Sequence, residues 1–171
     1  LIYLVLSCGH ARVYNRLFED LLGRYNKLVR PSEKANDTVR IAFRFKLSEL
    51  VDVTRCTPLC LISLCHDQHW FDERLEWNPS YYGNVTKLHV SGELIWLPDI
   101  ILYNNANGSP HVSAVTKAMI RHDGLVTWTP PVVYNSMCKI NVEWFPYDEQ
   151  YCDMKFGSWT YSGTQLDLVH V

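Results

Sequence analysis

CKINVEWFPYDEQYC, residues 138–152, decides how this chain is read. Two cysteines enclose thirteen residues. Before the tip, Cys138, Ile140, Val142 and Trp144 alternate with Lys139, Asn141 and Glu143. After it, Cys152, Met154 and Phe156 alternate with Asp153 and Lys155. A two-residue period on both sides predicts two strands, each with one buried face. Both cysteines fall in the apolar register, which lets them meet inside a core. Phe145, Pro146, Tyr147 and Asp148 predict a turn, because proline fixes φ and cannot donate to a ladder. A bridge closing a loop of this size stabilises a fold by about 3 kcal/mol in the chain-entropy account. Spacing alone also fits any disulfide-stapled hairpin of a secreted β domain.

Working outward, 171 residues suffice for one domain with a real core. Apolar residues make up 47% and charged residues 20%, a globular balance. The net charge of −2 argues against a nucleic-acid partner. Six Trp and ten Tyr suit an aromatic-rich site or interface. No apolar run is long enough to cross a membrane as a helix. Residues 1–11 (LIYLVLSCGHA) are apolar, then small and polar, and are expected to be the remnant of a signal peptide. A buried first strand is the alternative. A signal implies an oxidising, secretory route. Three sequons agree, at Asn36, Asn84 and Asn107, whereas Asn78 is blocked by Pro79.

Tyr14, Leu17, Phe18, Leu21, Leu22, Tyr25, Leu28 and Val29 recur at three and four, which predicts an amphipathic helix ended by Pro31. Its polar face carries both signs of charge, so it is expected to cap a β domain rather than lie on a membrane. Ile41, Phe43, Phe45 and Leu47 alternate as a half-buried strand. Residues 54–69 break the pattern, and strand character resumes at Phe71. Short strands follow around 85–90, 95–103 (interrupted by Pro98), 115–121 and 125–129, with Asp123-Gly124 as a hairpin signal. One helix and many short strands predict a mainly β chain: an immunoglobulin-like antiparallel β-sandwich with an N-terminal α-helix.

Few residues are of catalytic or metal-ligating type in a pattern that suits such chemistry. Cys56, Cys60, Cys65, His66 and His69 are zinc-ligand types, but their spacing fits no standard finger, and no metal is expected. No catalytic constellation, nucleophile elbow or phosphate-cradling loop is present, so no enzyme and no cofactor are expected. Tyr103 and Trp159 stand out as aromatics beside Asn, Ser or Gly rather than within an apolar face. Loop aromatics on a rigid sandwich can box a quaternary ammonium, which has no proton to donate and is held by π faces. A core tryptophan is the alternative for Trp159, and its sequence context does not choose.

The cysteine loop together with RLFEDLLGRYNKLVRP, EWNPSYYG, WLPDIILYNNANG, GLVTWTPPVVYNSMC and FGSWTYSG resembles nicotinic acetylcholine receptor subunits, members of the Cys-loop pentameric ligand-gated ion channels. The likeness covers about residues 14–53 and 70–171. It implies a partial extracellular ligand-binding domain over 12–171, binding acetylcholine or another quaternary-ammonium agonist. It also implies other subunits in a pentamer around a cation pore, with the full-length protein in the plasma membrane of a postsynaptic cell. Position by position, Tyr103 looks like the first aromatic of the principal binding face and Trp159 like its central cation–π tryptophan. Trp96 resembles a structural tryptophan. Thr127 and Thr129 fall in the strand lining the complementary face. Cys138 and Cys152 match the loop bridge. Phe145 and Pro146 match the contact with the membrane domain that couples binding to the gate. A soluble acetylcholine-binding protein without a channel is the alternative.

Two departures stand out. Residues 54–69 are atypical yet keep the expected length, with Cys65 where the resemblance places a tryptophan of the complementary face; a local reading-frame shift or altered exon is the expected cause. The adjacent-cysteine loop and the transmembrane helices of such subunits do not occur in the sequence, so we read it as a truncated ligand-binding domain.

Overall fold

Alternating burial along residues 39–46 and 66–72 of two long strands builds the core. The structure, a computed structural model, describes residues 8–32, 34, 37–54, 59–106, 116–137, 143–144, 147–149 and 151–171. Helix α1 (Cys8–Leu22) precedes β1 (Val39–Thr54) and β2 (Leu59–Glu76). Then come β3 (Lys87–Ser91), β4 (Ile100–Leu102), β5 (Lys117–Arg121), β6 (Asp123–Trp128), β7 (Pro131–Met137), β8 (Phe156–Ser158) and β9 (Leu166–His170). Two sheets result: β3-β5-β6-β2-β1-β9, with β7 also pairing β2, and the separate pair β4-β8. This is the mainly β sandwich with an N-terminal helix that the pattern predicts. The pairing is antiparallel except that β9 runs parallel to β1, from Val39 opposite Leu166 to Phe43 opposite His170.

The core lies between the layers. Val39, Ile41 and Phe43 of β1 point inward, as do Trp70 of β2, Leu88 and Val90 of β3, Ala118 and Ile120 of β5, and Val126 and Trp128 of β6. Leu17 of α1 closes one end, and Ile100 of β4 comes from the second sheet. Trp70 and Trp96 meet edge to face at 5.9 Å, consistent with a structural role for Trp96. Leu102 and Tyr134 form a smaller centre, to which half-buried Phe45, Met154 and Phe156 attach. The β5–β6 hairpin turns with Gly124 at φ +79°, as the Asp-Gly signal predicts.

Four expectations need correction. The helix stops at Leu22 rather than near Pro31. Beyond it, the Asn26 side chain accepts from the Leu28 amide, and Leu28 is 81% exposed. Tyr25 leaves the helical stripe to donate its hydroxyl to buried Asp72 at 2.7 Å. Residues 59–69 do not break the sheet. β2 runs through them, with His66, Gln68, Trp70 and Asp72 buried in phase, because main-chain pairing with β1, β7 and β6 does not depend on side-chain type; residues 55–58 of the atypical segment lie outside the described residues. Trp144 is not on a buried face: it is 71% exposed, in a turn where the Tyr147 amide donates to its carbonyl. Finally, 151–155 is not a strand. Its burial still alternates, with Cys152, Met154 and Phe156 half-buried and the residues between them exposed. The Asn104 side chain substitutes for a ladder there, donating to the Asp153 carbonyl at 2.6 Å and accepting from the Lys155 amide at 3.0 Å.

Cys152 is disulfide-bonded. Cys138, Phe145, Pro146, Asn36 and Asn107 lie outside the described residues, as do 1–7 of the expected signal remnant; α1 begins within that stretch, at Cys8. Among the described residues no helix is long and apolar enough to cross a membrane, and no cluster of three or more potential metal ligands occurs.

Candidate functional site

The short β4–β8 pair positions the two singled-out aromatics. Ile100 lies opposite Ser158, Ile101 opposite Gly157 and Leu102 opposite Phe156. Backbone bonds from Tyr103 to the Lys155 carbonyl (2.8 Å) and from Trp159 to the Asp99 carbonyl (3.1 Å) carry the ladder one residue past each end. Directly opposed residues of an antiparallel pair share a face, and alternate residues along a strand do so as well. Asp99, Ile101 and Tyr103 therefore share one face with Lys155, Gly157 and Trp159.

Tyr103 and Trp159 belong to opposite ends of this ladder, yet the Tyr103 ring folds back between them. Its hydroxyl donates to the Ser158 carbonyl at 2.7 Å. The ring lies directly over Gly157, where an added Cβ would come within 2.5 Å of Tyr103 Cε2. Glycine at 157 thus makes room for the ring, and any Cβ there would displace it. Tyr103 is 55% exposed and Trp159 69% exposed, which excludes the core reading of Trp159. Lys155 is exposed on the same face.

Asp99 holds the segment after β8. Its Oδ1 accepts from Ser158 Oγ at 2.5 Å and its Oδ2 from the Thr160 amide at 2.7 Å. Ser158 Oγ in turn accepts from the Tyr161 amide at 2.9 Å. Charge-assisted bonds from a carboxylate to a hydroxyl and an amide are strong and directional. They fix the backbone on both sides of Trp159 and leave its ring free. The chemistry available is two exposed aromatic rings on one side of the strand pair, with the Asp99 carboxylate on that side engaged by Ser158 and Thr160, an arrangement able to hold a cation.

Thr127 and Thr129 lie elsewhere, on or just past β6 of the large sheet. Thr129 is exposed. Thr127 pairs with His69 across β2–β6, and its Oγ1 is 3.0 Å from His69 Nδ1. The two threonines share a face opposite buried Trp128 and are not brought to Tyr103 and Trp159 within one chain. Asp99, Gly157 and Ser158 are the site residues that residue-by-residue reading misses. Asp99 directly after Pro98 in an apolar run, and the glycine two positions before Trp159, were the available signals.

A sequence model of the neurotransmitter-gated ion-channel ligand binding domain matches residues 14–171. The acetylcholine receptor subunit alpha-type unc-63 of Caenorhabditis elegans is 49% identical over 99% of this chain and 34% of its own length. An acetylcholine receptor subunit alpha-like of Manduca sexta is 49% identical over 91% of the chain and 30% of its own length. The neuronal acetylcholine receptor subunit non-alpha-2 of Carassius auratus is 46% identical over 90% of the chain and 33% of its own length. The chain thus spans about a third of the length of these relatives.

Proposed function

The chain belongs to the neurotransmitter-gated ion-channel ligand-binding domain family, and on that premise we propose that it is the agonist-binding extracellular part of a nicotinic acetylcholine receptor subunit. The observation that carries the reading is the Tyr103–Gly157–Trp159 face: two exposed aromatic rings on one side of a two-stranded pair, one seated on a glycine and the other on an Asp99-braced segment. A quaternary ammonium has no N–H to give, so π faces are its natural partners, each worth about 2 kcal/mol or more when desolvated. Asp99 adds negative potential to the same end of the sheet.

Tyr103 and Trp159 are the principal face. Thr127 and Thr129, on the other sheet, face a neighbouring subunit's ligand across a pentamer interface. That division explains why a single chain does not bring the two pairs together. Cys138 is the partner of Cys152 in the loop, and Phe145 and Pro146 meet the membrane domain of the full-length protein. Residues 1–11 are the remnant of a secretion signal, and Asn36 and Asn107 are glycan acceptors. The chain serves binding and coupling rather than catalysis, at the outer face of a postsynaptic plasma membrane.

The test is electrical. The complete protein, expressed alone and with partner subunits, is expected to pass cation current when acetylcholine is applied. Acetylcholine binding to a secreted assembly that conducts nothing would favour the soluble binding-protein alternative. Absence of both binding and current from an assembled pentamer overturns the reading.

A further inference from the structure

Asn78 and Asn84 are the same residue type six positions apart, and the fold uses them differently. Asn78 caps the 3-10 turn Pro79–Tyr82, its Oδ1 accepting from the Ser80 amide at 3.0 Å. Proline follows it, which blocks the sequon. Asn84 ends the same turn. Its backbone is left-handed at φ +61°, and its amide donates to the Pro79 carbonyl at 2.9 Å. The flanking backbone is held by three more bonds: Val85 N to the Tyr82 carbonyl at 3.1 Å, His122 N to the Thr86 carbonyl at 3.0 Å, and Trp77 Nε1 to the Val85 carbonyl at 2.8 Å. Val85 is buried, whereas the side chains on either side of it, Asn84 and Thr86, are exposed. The sequon therefore sits on a hydrogen-bonded backbone, with the acceptor residue Asn84 and the hydroxyl residue Thr86 both exposed.

Its position adds a reason for a modification there. Three residues later the chain enters β3, the end strand of the large sheet, which among the described residues pairs with β5 alone. An edge strand offers unpaired amides and carbonyls to any other extended chain. β3 already carries two common defences, a length of five residues and an exposed Lys87. We propose that Asn84 carries an N-linked glycan and that this glycan stands over the β3 edge, keeping it from pairing with a second chain. The sugar is bulky and solubilising, and the hydrogen-bonded backbone holds its first residue beside the edge rather than letting it sweep freely. β3 is then an outward, solvent-facing border of the domain and not a seam between subunits.

Left-handed φ alone would also favour asparagine at 84, so the test separates the turn from the sugar. Asn84→Gly keeps the left-handed turn and removes the acceptor. Thr86→Ala leaves Asn84 and the Thr86 carbonyl bond untouched but breaks the sequon, and Thr86→Ser preserves it. The complete protein is expressed behind a cleavable secretion signal in a glycosylating eukaryotic host. Peptide mass spectrometry before and after N-glycosidase treatment reads occupancy at Asn84. The proposal rests on the extracellular placement above. Cleavage of the supplied signal reports entry into the lumen, so a failure of that placement does not imitate a failure here. Occupancy is expected in the parent chain and in Thr86→Ser, and its loss in Thr86→Ala and Asn84→Gly. An unmodified Asn84 in signal-cleaved chain overturns the site. Sedimentation of Thr86→Ala beside Thr86→Ser is expected to show more self-association in the unglycosylated protein; equal association overturns the shielding role.

Discussion

Tyr103 rests on Gly157: no Cβ fits between the ring and the strand, since one added to Gly157 would lie 2.5 Å from Cε2. The same ring is tethered through its hydroxyl to the Ser158 carbonyl at 2.7 Å. Two substitutions separate seat from tether. Tyr103→Phe removes one hydrogen bond and is expected to weaken acetylcholine by about fivefold, from about 1 kcal/mol. Gly157→Ala evicts the ring from its seat and is expected to cost more than Tyr103→Phe. Concentration–response curves on the complete receptor give the order; a harmless Gly157→Ala contradicts it.

Asp99 is the brace under Trp159. Asp99→Asn keeps the shape but replaces two charge-assisted bonds, to Ser158 Oγ and the Thr160 amide, with at most one good neutral acceptor. Bonds to charged groups are worth about 1.5–3 kcal/mol each. Agonist affinity is expected to fall by about tenfold or more while radioligand-independent surface expression changes little. Unchanged affinity would show that Trp159 is held by other means.

The segment after α1 hangs on one buried carboxylate. Asp72 is 1% exposed. It is bonded by Arg74 Nε and Nη2, each at 2.8 Å, and by the Tyr25 hydroxyl at 2.7 Å. Burial is the main cause that pushes the Tyr25 phenol well above its ordinary pKa, with the bond to Asp72 next. Arg74→Met leaves the carboxylate buried with the Tyr25 hydroxyl and the residue-74 amide as its remaining partners. Loss of one member of a buried pair costs about 3–5 kcal/mol, and partial exposure of Arg74 places this case near about 3 kcal/mol. Adding Asp72→Asn to Arg74→Met is expected to recover part of that loss in denaturant midpoint; strict additivity contradicts the pairing.

His66 makes the core sensitive to acid. It is fully buried, stacked on Phe43 at 5.2 Å and on Tyr134 at 6.1 Å, with Trp128 edge-on at 6.5 Å. Burial lowers its pKa from 6.5 to about 4, opposed only in part by neighbouring Asp67. The unfolded chain therefore binds the proton more readily than the folded one. The contribution to stability is complete above the unfolded value and is lost as pH falls towards the folded one. Over that window the loss approaches about 3 kcal/mol. Denaturant midpoints measured across it are expected to fall steeply in the parent chain and less in His66→Phe. Parallel pH profiles contradict the assignment.

Legibility in the sequence followed the range of the interaction. The β5–β6 hairpin was plain because Asp123-Gly124 acts locally. The phase of α1 was right, but its end was not: Tyr25 continues the helical spacing and is diverted by Asp72, forty-seven positions away. Residues 59–69 looked foreign because of their side chains, while their strand is fixed by backbone pairing to two neighbours. Trp144 kept the alternating register but fell in a turn. At the site, Tyr103 and Trp159 were found through motif strings and their polar neighbours. Asp99 and Gly157 were not, since their roles arise only when β4 and β8 lie side by side.

The central claim is that Trp159 binds charge through its π face and not merely apolar bulk. The direct measurement compares a quaternary ammonium agonist with its uncharged carbon isostere as competing ligands, on the complete receptor and on Trp159→Leu. The account predicts that Trp159→Leu weakens the ammonium by about thirtyfold, the equivalent of about 2 kcal/mol, while the isostere changes little. Equal losses for both ligands, or no loss for either, would contradict it.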